Sequence, residues 1–284
     1  MTGGRAPEVP APGGPAESGR VISEIPTSPV DVPAAVSVLA GDEPARPVWR
    51  NQLGGLTFEL GGGARRRFVK WAPAGSGLDL AAEARRLAWV QDRTPVPQVL
   101  DAGEDDDGAW LLTRALPGRS AVEWATDPRQ AVVAVGEGLR AFHEALPVAG
   151  CPFSWAAEER LARAEAHRRA GGTDPARWEP EHRALGVERA FSLAAQIPPV
   201  EHLVVCHGDA CVPNTLVGDD GRWSGHVDLG ALGLADRWAD LAAATWSTRW
   251  NYGPGWERLL LDAYGVAPDE ERTRYYRLLW DLGP

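Results

Sequence analysis

Residues 207–214 read His-Gly-Asp-Ala-Cys-Val-Pro-Asn, and residues 226–230 read His-Val-Asp-Leu-Gly. The apolar run at 203–206, just before the first stretch, is typical of a buried strand. Between the two stretches, an Asp-Gly pair at 220–221 lies between short apolar segments, which predicts a hairpin turn. The sequence therefore predicts a strand, a polar loop and a hairpin in succession, with the polar residues gathered at one end.

Three side chains in these stretches, Asp209, Asn214 and Asp228, are expected to lie close together because the hairpin returns the chain to the loop. Asp and Asn after a strand are often only turn formers. However, phosphoryl transfer from ATP requires one carboxylate that accepts a proton, together with an amide and a second carboxylate that share a Mg²⁺. The spacing therefore favours such a transfer, provided that the rest of the chain supplies a nucleotide site.

Candidate nucleotide-binding residues lie in a β-rich region punctuated by glycines. Lys70 stands at an otherwise apolar strand end, where an unpaired ammonium is costly, and Glu83 lies on a helix predicted at 79–90. A strand lysine fixed by a helix glutamate is how kinases present an ammonium to phosphates, and a surface salt bridge is the alternative. The two adjacent glycines at 54–55 are interpreted either as part of a hairpin turn or as a loop whose backbone approaches a triphosphate. The predicted strands are 48–50, 56–60 and 67–71.

A hinge is predicted where the β-rich region gives way to helices. The buried strand at 110–113 is followed by Pro-Gly at 117–118, which stops it. Backbone groups of Arg114 and Leu116 are suited to meet an adenine edge there, because such recognition needs no particular side chain. Beyond Ser120 the periodicity becomes helical, with predicted helices at 128–146, 155–169 and 181–195.

Several polar residues of the helical half are assigned from their surroundings in the sequence. His143 is interpreted as a satisfied structural histidine, since no second ligand type lies at metal spacing. A polar loop holds Asp174 and Glu179, which either meet a cationic ligand or are simply solvated. Asp240 opens a later helix and is expected to brace the loop that bears Asp209.

Composition limits the compartment and the partners. The 284 residues suffice for one large domain or two lobes. A formal net charge of -10 argues against a nucleic-acid backbone as partner and suits a polycationic small substrate. The chain lacks a membrane-spanning apolar run and a signal peptide, and its three cysteines have no framework spacing, so a cytoplasmic location is expected. No protein partner is indicated, and residues 1–32, rich in Pro, Gly and Ala, are expected to form a disordered tail.

Taken together, these stretches resemble the aminoglycoside phosphotransferase family over roughly residues 46–284. The resemblance implies an α+β, two-lobed protein-kinase-like fold. An antiparallel β N-terminal lobe with one main helix and the hinge is expected at 33–116, and a mostly helical C-terminal lobe with the catalytic loop and substrate site at 117–284. The matching segments are 67–70, 82–87, 151–153, 204–214, 224–230, 233–241 and 275–279.

The resemblance implies a role for each candidate residue, with ATP and Mg²⁺ as cofactors and a cationic aminoglycoside as substrate. Asp209 corresponds to the catalytic aspartate that orients the substrate hydroxyl and accepts its proton. Asn214 and Asp228 correspond to the Mg²⁺ ligands. The implied nucleotide-binding residues are Lys70, Glu83, Thr57, Arg114 and Leu116, and the expected substrate-binding residues are Asp281, Asp174 and Glu179.

Two departures from the family pattern bear on the substrate. Ala231 stands where the family commonly has an arginine, whose contribution is either lost or supplied by another group such as Arg237. The acidic and aromatic C-terminal cluster typical of kanamycin/neomycin 3'-phosphotransferases is reduced to Asp281 ahead of Leu-Gly-Pro. This end and the loop at 207–214 are more similar to the streptomycin 3''-phosphotransferase branch.

The expected function is ATP-dependent O-phosphorylation of an aminoglycoside, with streptomycin at its 3''-hydroxyl favoured, which confers resistance. The alternative within the fold is a kanamycin/neomycin 3'-phosphotransferase or another small-molecule kinase. A metal-dependent hydrolase built from His207, Asp209, His226 and Asp228 is an alternative of another class, but it leaves Lys70 unexplained. A catalytically silent kinase-like binding module has only the missing arginine in its favour.

Overall fold

The computed structural model describes residues 23–24, 26, 28–124 and 126–283. An N-terminal lobe contains a six-stranded sheet and two helices. These elements are β1 (Ser23–Glu24), α1 (Ala34–Ala40), β2 (Ala45–Asn51), β3 (Leu56–Leu60), β4 (Arg67–Pro73), α2 (Leu80–Val90), β5 (Val99–Glu104) and β6 (Gly108–Arg114). The strands lie in the order β1-β2-β3-β4-β6-β5, and each adjacent pair is antiparallel.

Local sequence patterns explain the two elements that carry the nucleotide-site candidates. β3 alternates buried and half-buried positions, as a strand with one face on a core must. α2 begins after Asp79, whose side chain accepts a hydrogen bond from the backbone N–H of Ala82 at 2.7 Å. Its buried residues recur at helical spacing and include Glu83 beside Leu80 and Leu87, so a carboxylate lies on the face that packs against the sheet.

The C-terminal lobe is mostly helical. Its helices are α3 (Pro128–Ala145), α4 (Ala157–Arg169), α5 (Pro180–Leu185), α6 (Val187–Ala194), α7 (Trp238–Tyr252), α8 (Glu257–Tyr264) and α9 (Glu270–Leu282). Its strands are β7 (Arg119–Ser120), β8 (Leu203–Cys206), β9 (Thr215–Val217), β10 (Trp223–His226) and β11 (Gly233–Asp236). The strands β9 and β10 form the predicted hairpin, and β8 pairs antiparallel with β11.

A buried apolar cluster joins the two lobes. It includes Leu87 and Val90 of α2, Leu111 of β6, and Phe142 and Val205 of the C-terminal lobe. Because these side chains come from both sides of the hinge, the packing fixes α2 relative to the segments that follow β8 and β10. The two-lobed α+β architecture predicted from the sequence is confirmed.

Two details differ from the expectations. The helix predicted at 181–195 is divided into α5 and α6 at Gly186, whose φ of 73° is incompatible with a continuous helix. Residues 1–22 of the predicted disordered tail lie outside the described residues, whereas Ser23–Glu24 already pair with β2 in the sheet. Within the described part of the chain, no helix combines the length and apolar character needed to cross a membrane.

Candidate active site

The loop after β8 is held from behind by a buried carboxylate. Asp240, with no exposed side-chain surface, accepts hydrogen bonds from the backbone N–H groups of His207 at 2.6 Å and Gly208 at 2.9 Å. His143 Nε2 lies 3.0 Å from the same carboxylate, and its Nδ1 lies 2.9 Å from the Tyr264 hydroxyl. The bracing role of Asp240 is confirmed, and both ring nitrogens of His143 have partners, as expected. The expectation that no second ligand type lies near His143 is wrong, because the Cys206 sulfur, the Asp240 carboxylate and a ring nitrogen lie within 4.8 Å of one another.

Gly208 is required by the close approach of two loops. Its φ is 86°, and a Cβ atom there would lie 2.2 Å from the carbonyl oxygen of Ala231. The loop therefore turns sharply and presents Asp209 toward the segment after β10.

Asp209 and Asn214 are in direct contact. The Asn214 side-chain amide donates to the backbone oxygen of Asp209 at 2.9 Å and to its Oδ2 at 3.0 Å. The 3₁₀ turn Val212–Asn214 brings the amide back to the aspartate, and Ser247 of α7 fixes that turn by accepting from the Val212 N–H at 2.9 Å. Because the amide nitrogen is committed to Asp209, the amide oxygen of Asn214 faces the other way.

Lys70, Glu83 and Asp228 form a continuous ionic group across the lobes. Lys70 Nζ lies 2.7 Å and 2.9 Å from the two carboxylate oxygens of Glu83, and 2.9 Å from Oδ1 of Asp228. The Glu83 side chain is 6% exposed and that of Asp228 is 48% exposed. The predicted lysine–glutamate pair is thus part of a partly buried network in which Glu83 is the buried member, and the surface salt bridge considered as its alternative does not describe it.

The charges of this group shift the acidities of its neighbours. The Lys70 ammonium lowers the pKa of Asp228, so that carboxylate stays ionised. Burial lowers the pKa of Lys70, but Asp228 and Glu83 together outweigh burial and raise it. Burial raises the pKa of Asp209, and the negative charge of Asp228 adds to that rise. Asp209 is therefore the more basic of the two loop aspartates.

Asp228 is also held in an unusual backbone conformation. Among the described residues it is the one non-glycine with positive φ, at 66°. Aspartate tolerates this left-handed region better than most residues, and such strain is common at functional sites. The Val227 N–H donates to the Asn214 carbonyl at 2.9 Å, which ties the two loops together next to the strained residue.

The oxygen donors suit a hard divalent cation. Mg²⁺ prefers carboxylate and carbonyl-type oxygens and keeps several waters. The half-exposed carboxylate of Asp228 and the amide oxygen of Asn214, turned away from Asp209, supply such donors at one side of the cleft. These two residues fit the group that the resemblance implies.

The two histidines required by the metal-dependent hydrolase are inaccessible. His207 is fully buried and His226 is 1% exposed, and their rings stack edge to face with centroids 5.4 Å apart. His207 Nε2 lies 3.0 Å from the Val227 carbonyl oxygen, and Phe142 packs against both rings. They support the two loops from the core side.

The remaining nucleotide-site candidates lie on the two strands that flank β4, or just after them. Thr57 of β3 is the register partner of Lys70 in β4. The N–H of Arg114 donates to the Gln98 carbonyl at 2.9 Å, so this N–H is already occupied within the sheet. Leu116 lies two residues after the end of β6, in the connection to β7.

The loop between β2 and β3 is a tight turn fixed by Asn51. Its side-chain oxygen accepts from the N–H groups of Leu53 at 3.0 Å and Gly55 at 2.9 Å. Gly54 has a φ of 82°, which meets the expectation of a hairpin turn there.

The three predicted substrate-binding residues have different environments. Asp174 is exposed and caps a 3₁₀ turn through the Ala176 N–H. Glu179 is half-buried and its Oε1 accepts from Trp250 Nε1 at 3.1 Å. Asp281, in contrast, has no exposed side-chain surface and bonds to His182, because it lies on the face of α9 that packs into the C-terminal lobe. The expected direct contact between Asp281 and substrate is therefore wrong for this structure.

Arg237 does not replace the arginine missing at Ala231. Its guanidinium makes two hydrogen bonds to the Glu201 carboxylate, at 2.6 Å and 2.7 Å. The position beside Gly230 accordingly carries only a methyl group.

Sequence reasoning missed two residues that shape the cleft. Arg86 Nε donates to the Leu232 carbonyl at 2.9 Å and its guanidinium stacks on Phe153, so it ties α2 to the C-terminal lobe. Trp250 lies on α7, beside the residues that contact the catalytic loop. Arg86 follows Glu83 by three positions and so lies on the same helix face, which could have identified it from the sequence. For Trp250 the sequence offers only its aromatic character.

With this geometry established, the chain is seen to belong to the phosphotransferase enzyme family, which it matches over residues 50–276. It is 37% identical over 244 residues to an aminoglycoside 3'-phosphotransferase of Streptomyces fradiae, covering 80% of this chain and 90% of that one. It is equally 37% identical over 224 residues to a streptomycin 3''-kinase of Streptomyces griseus, covering 74% and 82% of the two chains. The family predicted from the sequence is confirmed.

A solved structure extends the likeness to three dimensions. Aminoglycoside phosphotransferase APH(3'')-Id from Streptomyces rimosus, in complex with ADP and streptomycin, superposes with a TM-score of 0.72 at 30% identity. The match covers 87% of this chain and 95% of that one. The fold of the chain is thus that of an antibiotic kinase.

Proposed function

We propose that this protein transfers the γ-phosphoryl group of ATP to a hydroxyl of an aminoglycoside antibiotic. The observation that carries the proposal is the contact network of Lys70, Glu83, Asp228, Asn214 and Asp209. It supplies a phosphate-facing ammonium, two oxygen donors and a separate carboxylate within one cleft. Phosphoryl transfer needs these parts and little covalent chemistry from the protein.

Asp209 has the properties of the residue that orients the acceptor hydroxyl and takes its proton. Its amide contact with Asn214 fixes the carboxylate, and its raised pKa makes it a better base than an ordinary aspartate. Lys70, fixed by Glu83, is proposed to hold the α- and β-phosphates. Asn214 and Asp228 would hold Mg²⁺, which neutralises charge on the transferring phosphoryl group when bound. Thr57 and the backbone of Arg114 and Leu116 are proposed to line the nucleotide site.

Streptomycin, phosphorylated at its 3''-hydroxyl, is the acceptor that the substrate side favours. The face of α7 beside the catalytic loop presents Trp250, and Glu179 lies against that indole. A planar guanidinium stacks on an aromatic face and binds a carboxylate through paired N–H groups, whereas an ammonium does so less well. Streptomycin carries two guanidinium groups, and kanamycin-type drugs carry ammonium groups. Modification would occur in the cytoplasm, where ATP is supplied, and would confer resistance.

A 3'-phosphotransferase acting on kanamycin or neomycin is the second candidate. The equal identity to the Streptomyces fradiae enzyme favours it. The exposed Asp174, close in sequence to Glu179, adds a carboxylate that an ammonium-rich drug would use.

The test is ATP- and Mg²⁺-dependent ADP release with streptomycin and kanamycin in separate assays. Turnover with streptomycin alone is expected, and turnover with kanamycin alone would move the protein to the second candidate. Asp209→Asn should lower kcat by about 10³-fold or more without weakening ATP binding. Asp219→Asn, an exposed aspartate on the β9–β10 turn, is the matched control. A near-normal rate for Asp209→Asn would contradict the role given to Asp209.

A further inference from the structure

Asp281 and His182 form a buried hydrogen-bonded contact that no step of the proposed reaction uses. Asp281 lies on α9 near the end of the chain, and its side chain has no exposed surface. Its Oδ2 lies 2.7 Å from His182 Nδ1 and accepts a hydrogen bond from the backbone N–H of Glu179 at 2.8 Å. One carboxylate oxygen thus fixes both ends of the short segment 179–182.

The segment that Asp281 fixes carries an acidic side chain, Glu179, that accepts a hydrogen bond from Trp250. Glu179 is held at its backbone N–H by Asp281 and at its carboxylate by Trp250 Nε1. Pro180, which follows it at the start of α5, restricts the backbone further. The Glu179 carboxylate therefore has a defined position, although it lies on a connection between helices.

The contacts that hold the 179–182 segment continue to two tryptophans of α7. The ring of His182 stacks edge to face on Trp246, with centroids 5.7 Å apart, and Trp246 packs on Trp250 at 5.0 Å. Trp246 is fully buried, so it transmits the position of His182 to the half-buried Trp250. Both groups that would meet a substrate cation are then set by contacts that lead back to Asp281.

We propose that Asp281 is a positioning residue for the cationic substrate: it acts through Glu179 and His182, and it does not touch the drug. The inference rests on the proposed function, because it assigns Glu179 and Trp250 to substrate. A buried carboxylate that satisfies a backbone N–H and an imidazole is costly to remove, since both donors lose a charged partner. Loss of the Asp281 carboxylate would let the 179–182 segment move, so that the Glu179 carboxylate would no longer have one defined position. The site around Lys70 and Asp209 would be unchanged.

A double-mutant cycle tests whether Asp281 acts through Glu179. Asp281→Ala and Glu179→Ala should each raise the KM for streptomycin by about tenfold, with the KM for ATP and the kcat at saturation unchanged. The double variant should be no worse than either single variant, because a carboxylate that is absent cannot be mispositioned. Asp262→Ala, which removes an exposed carboxylate paired with Arg258 on α8, is the matched control and should leave both KM values unchanged.

A KM increase in the double variant equal to the product of the two single increases would overturn the proposal, since Asp281 would then act independently of Glu179. Unchanged KM in Asp281→Ala would overturn it as well. If Asp281→Ala does not fold, Asp281→Leu replaces it, because leucine keeps the branched shape and offers no acceptor oxygen.

Amide hydrogen exchange gives a readout that needs no drug. The Glu179 N–H is bonded to Asp281, so in Asp281→Ala, or in Asp281→Leu where that variant replaces it, the exchange of this N–H without ligand should be about tenfold faster than in wild type. Unchanged exchange at Glu179 would refute the brace whatever the substrate is. If the wild-type enzyme turns over no aminoglycoside and the exchange still rises, the proposed function fails while the brace stands.

Discussion

The acid sensitivity of the fold should depend on His226. This ring is 1% exposed and packs against Phe142, His207 and Trp223. Burial, and after it the neighbouring His207, lower its pKa from 6.5 to about 3. The unfolded chain therefore takes up a proton as the pH falls below about 6.5, whereas the folded protein does not. The free energy of unfolding must decrease over that interval.

The size of this decrease follows from proton linkage. Each pH unit between the two pKa values costs about 1.4 kcal/mol, so lowering the pH from about 7 to about 5 removes about 2 kcal/mol through His226 alone. His226→Gln cannot ionise, and although it is expected to be less stable at neutral pH, it should lack this part of the pH dependence. The assay is reversible urea unfolding of both proteins at the two pH values.

The control is His202→Gln, which changes an exposed histidine next to β8 and should leave the wild-type pH dependence in place. The comparison uses the difference between the two pH values, so the cost of repacking the core cancels. If His226→Gln and wild type lose the same free energy of unfolding on acidification, His226 protonates equally in both states. The reasoning from burial would then be refuted.

Three further outcomes are expected for the cleft. Arg86→Ala should raise the KM for ATP about three- to tenfold in initial-rate measurements, because α2 loses its hydrogen bond to the C-terminal lobe. Arg85→Ala, on the exposed side of α2, should leave this KM unchanged. Lys70→Ala should lower kcat/KM for ATP on the order of 10²-fold, and Glu83→Gln should lower it less, since the ammonium remains. The fall of kcat at acid pH should have an apparent pKa above the value of about 4 for an ordinary aspartate, because the pKa of Asp209 is raised. An apparent pKa at or below that value would contradict Asp209 as the base.

The ionic network of the cleft was accessible from sequence because each member has a local signal. Lys70 stands out as a charge in an apolar strand, and Glu83 shares the apolar face of a capped helix. When a helix packs on a strand, polar residues on the two facing sides are brought together. Lys70 Nζ and Glu83 Oε1 accordingly lie 2.7 Å apart. The hairpin after Asn214 likewise follows from its turn residues.

The substrate side was less accessible, because its contacts join segments that are far apart in the chain. Asp281 was expected to face the drug, because the family resemblance implies an acidic C-terminal cluster of which it is the remaining carboxylate. Its burial depends on α9 packing onto the C-terminal lobe and on two donors from a segment about a hundred residues earlier, at separations of 99 and 102 positions. The periodicity of apolar residues does not indicate such a contact. A short polar loop also has the same kind of sequence whether it is exposed to solvent or hydrogen-bonded to a distant helix.

The strained backbone at Asp228 links the chemistry to the rejected hydrolase. A histidine-based metal site would need both rings to turn toward the cleft, yet His207 and His226 point into the core and pack on Phe142. The positive φ of Asp228, two residues after His226, directs the chain out of β10 so that the ring stays inside while the carboxylate reaches Lys70 at 2.9 Å. The conformational cost of about 1–3 kcal/mol for a non-glycine residue there is offset only where the carboxylate is needed in the cleft. An oxygen-lined site facing a lysine suits phosphates and Mg²⁺, and the two buried histidines serve to keep its two loops in register.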